Sequence, residues 1–139
     1  MIGFALLSPD RVYAEWGWLR NGLLDLAGRT EAHYRPEDAW LRLRTGTAWA
    51  YGIGAVGDEI GFAILTQEHD PDGLCVFVWA IWCEPGSAAG VKDDIYAGLE
   101  MVARAAGAKR IRMQSPRPGW ERESFFSKVA VVYEHEVMQ

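Results

Sequence analysis

The stretch Leu74 to Cys83, LCVFVWAIWC, is apolar at every position, and nothing else in the chain limits the fold so tightly. A strand with one wet face alternates apolar and polar residues. A strand with no polar position is covered on both faces. The chain must therefore place a helical layer on each side of a central strand. Strict period-two alternation would set Phe77, Trp79 and Ile81 against one layer and Val76 and Val78 against the other. His69-Asp70-Pro71-Asp72-Gly73 reads as a turn before this strand, and Glu84-Pro85-Gly86-Ser87 breaks it.

A long helix is predicted next, from about Ala88 to Ala106, with Val91, Ile95, Leu99 and Val102 as its buried stripe and Gly107 as its stop. Lys109 to Ser115 then alternates Ile111 and Met113 with Arg110, Arg112 and Gln114, the pattern of a strand with one polar face. A strand, a helix and a second strand in this order form a crossover, which pairs the two strands in parallel.

Upstream, Ile2 to Leu7 suits a first strand, and Ser8-Pro9-Asp10 is a helix start. Val12, Trp16, Leu19, Leu23 and Leu26 follow at helical spacing, with Gly28 as the end. Pro36 to Thr45 is a second helix, closed by Thr45-Gly46. Thr47 to Gly54 and Glu59 to Gln67 form a hairpin around Val56-Gly57-Asp58. Downstream, Trp120 to Val129 reads as a short helix with Phe125, Phe126 and Val129 inward, and Val131 to Met138 as a last strand. The order is β-α-α-β-β-β-α-β-α-β: an α/β chain with a mixed sheet and helices on both faces, in one domain spanning residues 1–139.

Composition narrows the function. The net charge of −5 argues against a general nucleic-acid or anionic-membrane binder, which needs a basic footprint. No apolar run approaches the roughly 20 residues of a membrane span, and the start lacks the basic flank of a secretory signal. Cys75 and Cys83 sit on one strand, roughly 26 Å apart by strand rise, too far to bridge. They read as buried free thiols of a reducing compartment, so a cytoplasmic location is expected. His33, His69 and His135 have no metal-ligand spacing, and no metal is expected. Seven tryptophans imply first a large aromatic core and second a contact surface.

The element order resembles the GNAT N-acetyltransferase superfamily over the whole chain. The C-terminal stretch KRIRMQSPRPGWERESFFSKVAVVYEHEVM is similar to small GNAT-like proteins encoded in bacteriophage genomes. The resemblance implies acetyl-CoA as cofactor, its pyrophosphate cradled by backbone amides at the start of the long helix. The family pattern there is Arg/Gln-x-x-Gly-x-Gly/Ala, and the matching stretch is Ser87-Ala88-Ala89-Gly90-Val91-Lys92. Gly90 matches, Ser87 replaces the basic or amide residue, and Lys92 replaces the final small one. Gly86 leaves room for an anion and Lys92 adds charge, while Asp93 and Asp94 repel one.

The resemblance further implies a tyrosine proton donor on the last helix, where Phe126 stands. Phe has no hydroxyl, Ser124 and Ser127 are poor donors, and Tyr133 is a substitute without positional support. Glu84, at the end of the central strand, is the first candidate for the base, ahead of Glu59 and His69. Lys109, Arg110, Arg112, Arg117 and Arg122 form a basic stretch that suits a solvated face, CoA phosphates or an acidic partner.

Two functions follow. One is an active acetyl-CoA-dependent N-acetyltransferase. The other is a GNAT-fold domain with weakened or lost catalysis, serving as a phage virion or accessory component that docks on a protein partner or on its own copies. The departures at Ser87, Lys92 and Phe126 favour the second. Its contact is expected at Arg117, Trp120 and Arg122, with the final strand as a further candidate.

Overall fold

The computed structural model describes residues 3–30, 35–87, 90–114, 125–127 and 135–137, with no side-chain description at 29 and 30. Its elements are β1 (Phe4–Leu6), α1 (Pro9–Ala14), α2 (Trp16–Thr30), α3 (Pro36–Thr45), β2 (Trp49–Ala55), β3 (Asp58–Asp70), β4 (Gly73–Cys83), α4 (Lys92–Ala106) and β5 (Arg110–Met113). The five strands lie in the order β1-β2-β3-β4-β5. The first four are antiparallel, and β5 joins β4 in parallel, as the crossover requires. This is the mixed sheet expected from the sequence.

Helices cover both faces. On one side Val12, Leu19, Leu23 and Ala39 of the first three helices pack on Ala50, Phe62, Ile64, Ala80 and Trp82. On the other, Ile95, Leu99 and Ala103 of α4 pack on Ile53, Leu65, Val76 and Val78. Of the predicted α4 stripe, Val91, Ile95 and Leu99 are buried and Val102 is half-buried.

Several predicted boundaries move, each for a local reason. The first helix is two helices: it breaks at Glu15, whose backbone leaves the helical region (φ −106°, ψ 18°) just before the weak helix former Gly17. α2 then runs through Gly28 to Thr30, because an interior glycine weakens a helix without stopping it. α4 starts at Lys92 rather than near Ala88, since Gly90 takes a left-handed conformation (φ 81°) that no helix continues through. His69 and Asp70 belong to β3, pairing with Leu74 and Gly73, so the predicted five-residue turn contracts to Pro71-Asp72. Cys75 is buried but Cys83 only half-buried, and both thiols are free.

The predicted facing of β4 also needs correction. Ile64 pairs with Ala80 but Leu65 pairs with Val78, which leaves Trp79 as an extra, bulged residue. The extra residue shifts the alternation. Val76 and Val78 therefore share the α4 face with Ile81, while Trp79, Ala80 and Trp82 face α1–α3. Of the predicted closing helix, Phe125 to Ser127 are not helical, and its other residues lie outside the described ones. Of the predicted last strand, only residues 135–137 are described, and they are not in a strand. Among the described residues no helix is long and apolar enough to cross a membrane.

Two glycines set how closely the helices approach the sheet. A Cβ at Gly22 of α2 would lie 2.4 Å from the Phe62 ring and 2.9 Å from the Trp82 ring. A Cβ at Gly98 of α4 would lie 2.4 Å from Phe4 Cγ. A methyl group at either site forces the layers apart. Gly22→Ala is expected to destabilise the fold by about 1–3 kcal/mol, measured by denaturant unfolding, although alanine is the better helix former; a neutral or stabilising effect would contradict this packing.

Candidate functional site

The β4–β5 ladder is short. It pairs Cys75, Val78 and the two residues between them with the strand Arg110 to Met113, and Gln114 is no longer in the strand. β4 itself continues through Trp79 to Cys83. Among the described residues no strand pairs with β4 beyond Val78 on that edge, and residues 115–124 lie outside the described ones. The bulged Trp79 is the first residue past the end of the ladder. The candidate site is the segment of β4 from this end, its apex, to Glu84 and the loop into α4, its mouth; Glu84 lies about 16 Å along the strand from Trp79 at roughly 3.3 Å per residue.

At the mouth, Glu84 closes a turn: its carbonyl accepts from the Ser87 amide at 3.1 Å and from the Ser87 hydroxyl at 2.6 Å. The Ser87 proton is thereby spent within the loop. Gly86 (φ 83°) and Gly90 (φ 81°) are both left-handed, and a Cβ on either would meet open space. The loop backbone is therefore open to an approaching group. α4 begins beyond a buried Val91 at its cap, with no side chain capping the first-turn amides. Lys92 is exposed in that turn, and Asp93 and Asp94 follow it. The predicted cradle residues Gly86, Ser87, Gly90 and Lys92 thus lie in the described parts of the loop and first turn between β4 and α4, while Ala88 and Ala89 lie outside the described residues.

Glu84 is exposed at the same mouth and accepts a 3.4 Å hydrogen bond from the Trp18 indole. The other two base candidates stand elsewhere. His69 pairs with Leu74 at the far end of β4, roughly 30 Å along the strand from Glu84. Glu59 is committed to structure: both its oxygens accept from Arg11, at 2.8 and 3.0 Å, and Arg11 also binds Glu15. Gly52 makes room for it, since a Cβ there would lie 2.8 Å from Glu59 Cγ. The Arg11 hydrogen bonds, with help from the Gly57 amide, hold the Glu59 carboxyl down to about 2. So acidic a group is a poor acceptor for an amine proton.

The basic stretch divides. Arg110 pairs with Asp72 at 3.3 Å and Arg112 with Asp70 at 2.8 Å, so β5 is tied to the tip of the β3–β4 hairpin. Lys109 packs its stem by Gly73. A groove of about 410 Å³ at the C-terminal end of α4, lined by Arg104, Lys109, Arg110 and Phe125 among others, contains none of the cradle residues. The proposed contact residues Arg117, Trp120 and Arg122 lie outside the described residues, as do Ser124 and Tyr133. None of the six described tryptophans is exposed, and Trp16, Trp18, Trp79 and Trp82 belong to the core beneath α1–α3.

Phe126 is held by aromatic contacts. Phe125 stacks on Tyr96 of α4 at 4.5 Å, and Phe126 meets both rings edge-on, at 4.9 Å from Phe125 and 5.9 Å from Tyr96. The sequence reading missed Tyr96, which lies off the apolar stripe of α4; a ring one residue past Ile95 was its only signal.

The architecture is that of the GNAT acetyltransferases. A possible acetyltransferase from Clostridium difficile 630 superposes with a TM-score of 0.74 at 10% identity, covering 100% of this chain and 99% of the other. The ribosomal-protein-alanine N-acetyltransferase of Brucella melitensis biovar Abortus 2308 gives 0.67 at 17% identity, over 100% and 99%. A predicted acetyltransferase with acetyl-CoA from Clostridium acetobutylicum gives 0.71 at 11%, over 98% and 96%. No family model and no curated protein matches the sequence. The chain therefore has the GNAT fold, and its described residues form a mixed five-stranded sheet with helices on both faces.

Glu59 carries a pH prediction. A carboxylate whose pKa is lower in the folded state stabilises the fold above its unfolded value, 4.5 here, and loses that contribution as pH falls toward about 2. Glu59→Gln is expected to cost about 1–2 kcal/mol at pH 7, since Arg11 is partly screened by solvent. The gap to the parent protein should close between pH 4.5 and 2 in urea unfolding; a gap that stays constant would place the interaction elsewhere.

Proposed function

We propose that this chain binds acetyl-CoA in the wedge between β4 and β5 and transfers the acetyl group to an amine. The observation that carries this reading is the early end of the β4–β5 ladder at Val78 and Met113, while β4 runs on to Cys83. Among the described residues no strand pairs with β4 from Trp79 to Cys83 on this side, and its main chain would offer donors and acceptors to an amide-bearing arm, as a strand would. The arm would lie along β4 with its phosphates at the α4 first turn, where uncapped amides and Lys92 favour an anion. Glu84, Asp93 and Asp94 oppose it, so phosphate binding is expected to be modest.

Acetyl-CoA supplies an activated thioester, and the chain's part is to hold it against the amine. Placement alone is a large fraction of such catalysis. The strand residues at the apex, Val76 to Ala80 with Arg112 to Gln114, include no carboxylate and no histidine. Glu84 stands about 16 Å along the strand from Trp79, the first residue past the apex, which suits attraction of a cationic amine to the mouth better than removal of its proton at the thioester. Support for the fold comes from the Clostridium acetobutylicum neighbour, described with acetyl-CoA.

The docking reading keeps one motive, the stretch with Arg117, Trp120 and Arg122; its wider motive weakens because none of the described tryptophans is exposed. A phage accessory role rests on the resemblance of the C-terminal stretch alone.

Calorimetric titration with acetyl-CoA tests the proposal. Micromolar binding is expected, together with a rise in melting temperature; saturation near 100 times Kd adds about 2.7 kcal/mol. Gly90→Asp, which adds a charge and a side chain at a left-handed position, is expected to abolish binding. No heat and no thermal shift at millimolar acetyl-CoA would reject the proposal.

A further inference from the structure

We infer that Glu84, held by the Trp18 indole, binds a second ammonium group of the acceptor, so that the chain selects acceptors with a remote cation, such as polyamines, over simple amines. The inference rests on the acetyl-CoA reading above, because that reading fixes where the reacting amine stands.

Glu84 is exposed, yet its backbone and its carboxylate are both held. Its amide donates to the Ile60 carbonyl of β3 at 2.7 Å, and its carbonyl accepts from the Ser87 amide and hydroxyl. Its carboxylate accepts from the Trp18 indole at 3.4 Å. Trp18 in turn meets the Phe62 and Trp82 rings edge-to-face, at 5.5 and 5.8 Å, which fixes the donor. Elsewhere the chain answers its carboxylates with arginine: Glu15 and Glu59 pair with Arg11, and Asp70 pairs with Arg112. Among the described residues no Lys or Arg pairs with Glu84. An indole N–H orients a carboxylate without neutralising it. Holding a side chain in place before its ligand arrives removes part of the ordering cost of binding. An exposed carboxylate that is oriented and keeps its charge suits a cation.

The location says which cation. Trp82, two residues before Glu84, faces α1–α3, and the contact with Trp18 of α2 puts the Glu84 carboxylate on that side. The cofactor phosphates are assigned to the first turn of α4, which packs on the other face. A cation at Glu84 therefore approaches without displacing the cofactor arm. Glu84 also lies about 16 Å along the strand from Trp79, near which the acetyl end of the arm would stand. A group so distant does not hold the reacting amine, which attacks only in its neutral form. It holds a remote part of the same acceptor, and that part must carry its own positive charge.

The test compares two probes of one length: a diaminoalkane long enough to span about 16 Å, and the aminoalcohol in which a hydroxyl replaces its remote ammonium. Their Kd values are measured by calorimetry on the protein saturated with CoA, which fills the place of the arm without reacting. The parent protein is expected to bind the diamine about fivefold more tightly than the aminoalcohol, as an oriented but exposed ion pair allows. Glu84→Gln, which still accepts from Trp18 and removes only the charge, is expected to bring the two probes within about twofold of each other. Trp18→Phe keeps a ring in the packing and removes the N–H, and its preference is expected to fall between those two. A purely structural Trp18 would shift both probes in parallel and leave the parent ratio, which overturns its positioning role. Equal binding or no binding of the probes by the CoA-loaded parent protein, or a preference that survives Glu84→Gln, overturns the inference with the cofactor reading intact. Failure of the parent protein to bind CoA removes the cofactor reading and this inference together.

Discussion

The site depends on a single inserted residue in β4. Trp79 is the extra residue where the register against β3 shifts, so the strand changes phase there, and residues before and after it that share parity face opposite layers. The same point is where β5 leaves β4. A bulge increases local twist and bends its strand, which is the geometry that lets two parallel neighbours diverge. Remove the insertion and β4 would present one continuous alternation. The opposite facing of Val78 and Ala80 follows from this irregularity.

Around it, the two apolar layers hold the sheet rigid. Large side chains fill the space close to two helix glycines: Phe62 and Trp82 against Gly22, and Phe4 against Gly98. The Arg11–Glu59–Glu15 cluster joins the break between α1 and α2 to the β2–β3 hairpin. Arg110 and Arg112 tie β5 to the opposite hairpin tip through Asp72 and Asp70. These ion pairs fix β5 where the ladder exists. A site built on a strand edge supported from both faces keeps its geometry better than one carried by loops.

Much of this was legible in the sequence. An unbroken apolar strand required two covering layers, and the strand–helix–strand crossover required parallel pairing; both are properties of pattern. Gly46 and Gly107 marked the ends of α3 and α4 and adopt left-handed conformations at those ends. What escaped were features that depend on three dimensions. A bulge at Trp79 leaves no mark in a run that is apolar at every position, because either alternation fits it. The break at Glu15 hides within a stripe whose spacing stays helical. The pairing of Arg11 with Glu59, 48 residues apart, and the stacking of Tyr96 on Phe125 arise only from the meeting of distant segments.

The central claim is that the free edge of β4 is a binding surface, and amide hydrogen exchange tests it most directly. Backbone exchange would be followed residue by residue along β4, with and without saturating acetyl-CoA. The account predicts that the amides between Trp79 and Cys83 that do not bond β3 slow by tenfold or more on binding, while those already bonded to β3, and Cys75 to Val78, already paired with β5, change little. Saturated binding with no slowing between Trp79 and Cys83, or with slowing confined to another part of the chain, would contradict it.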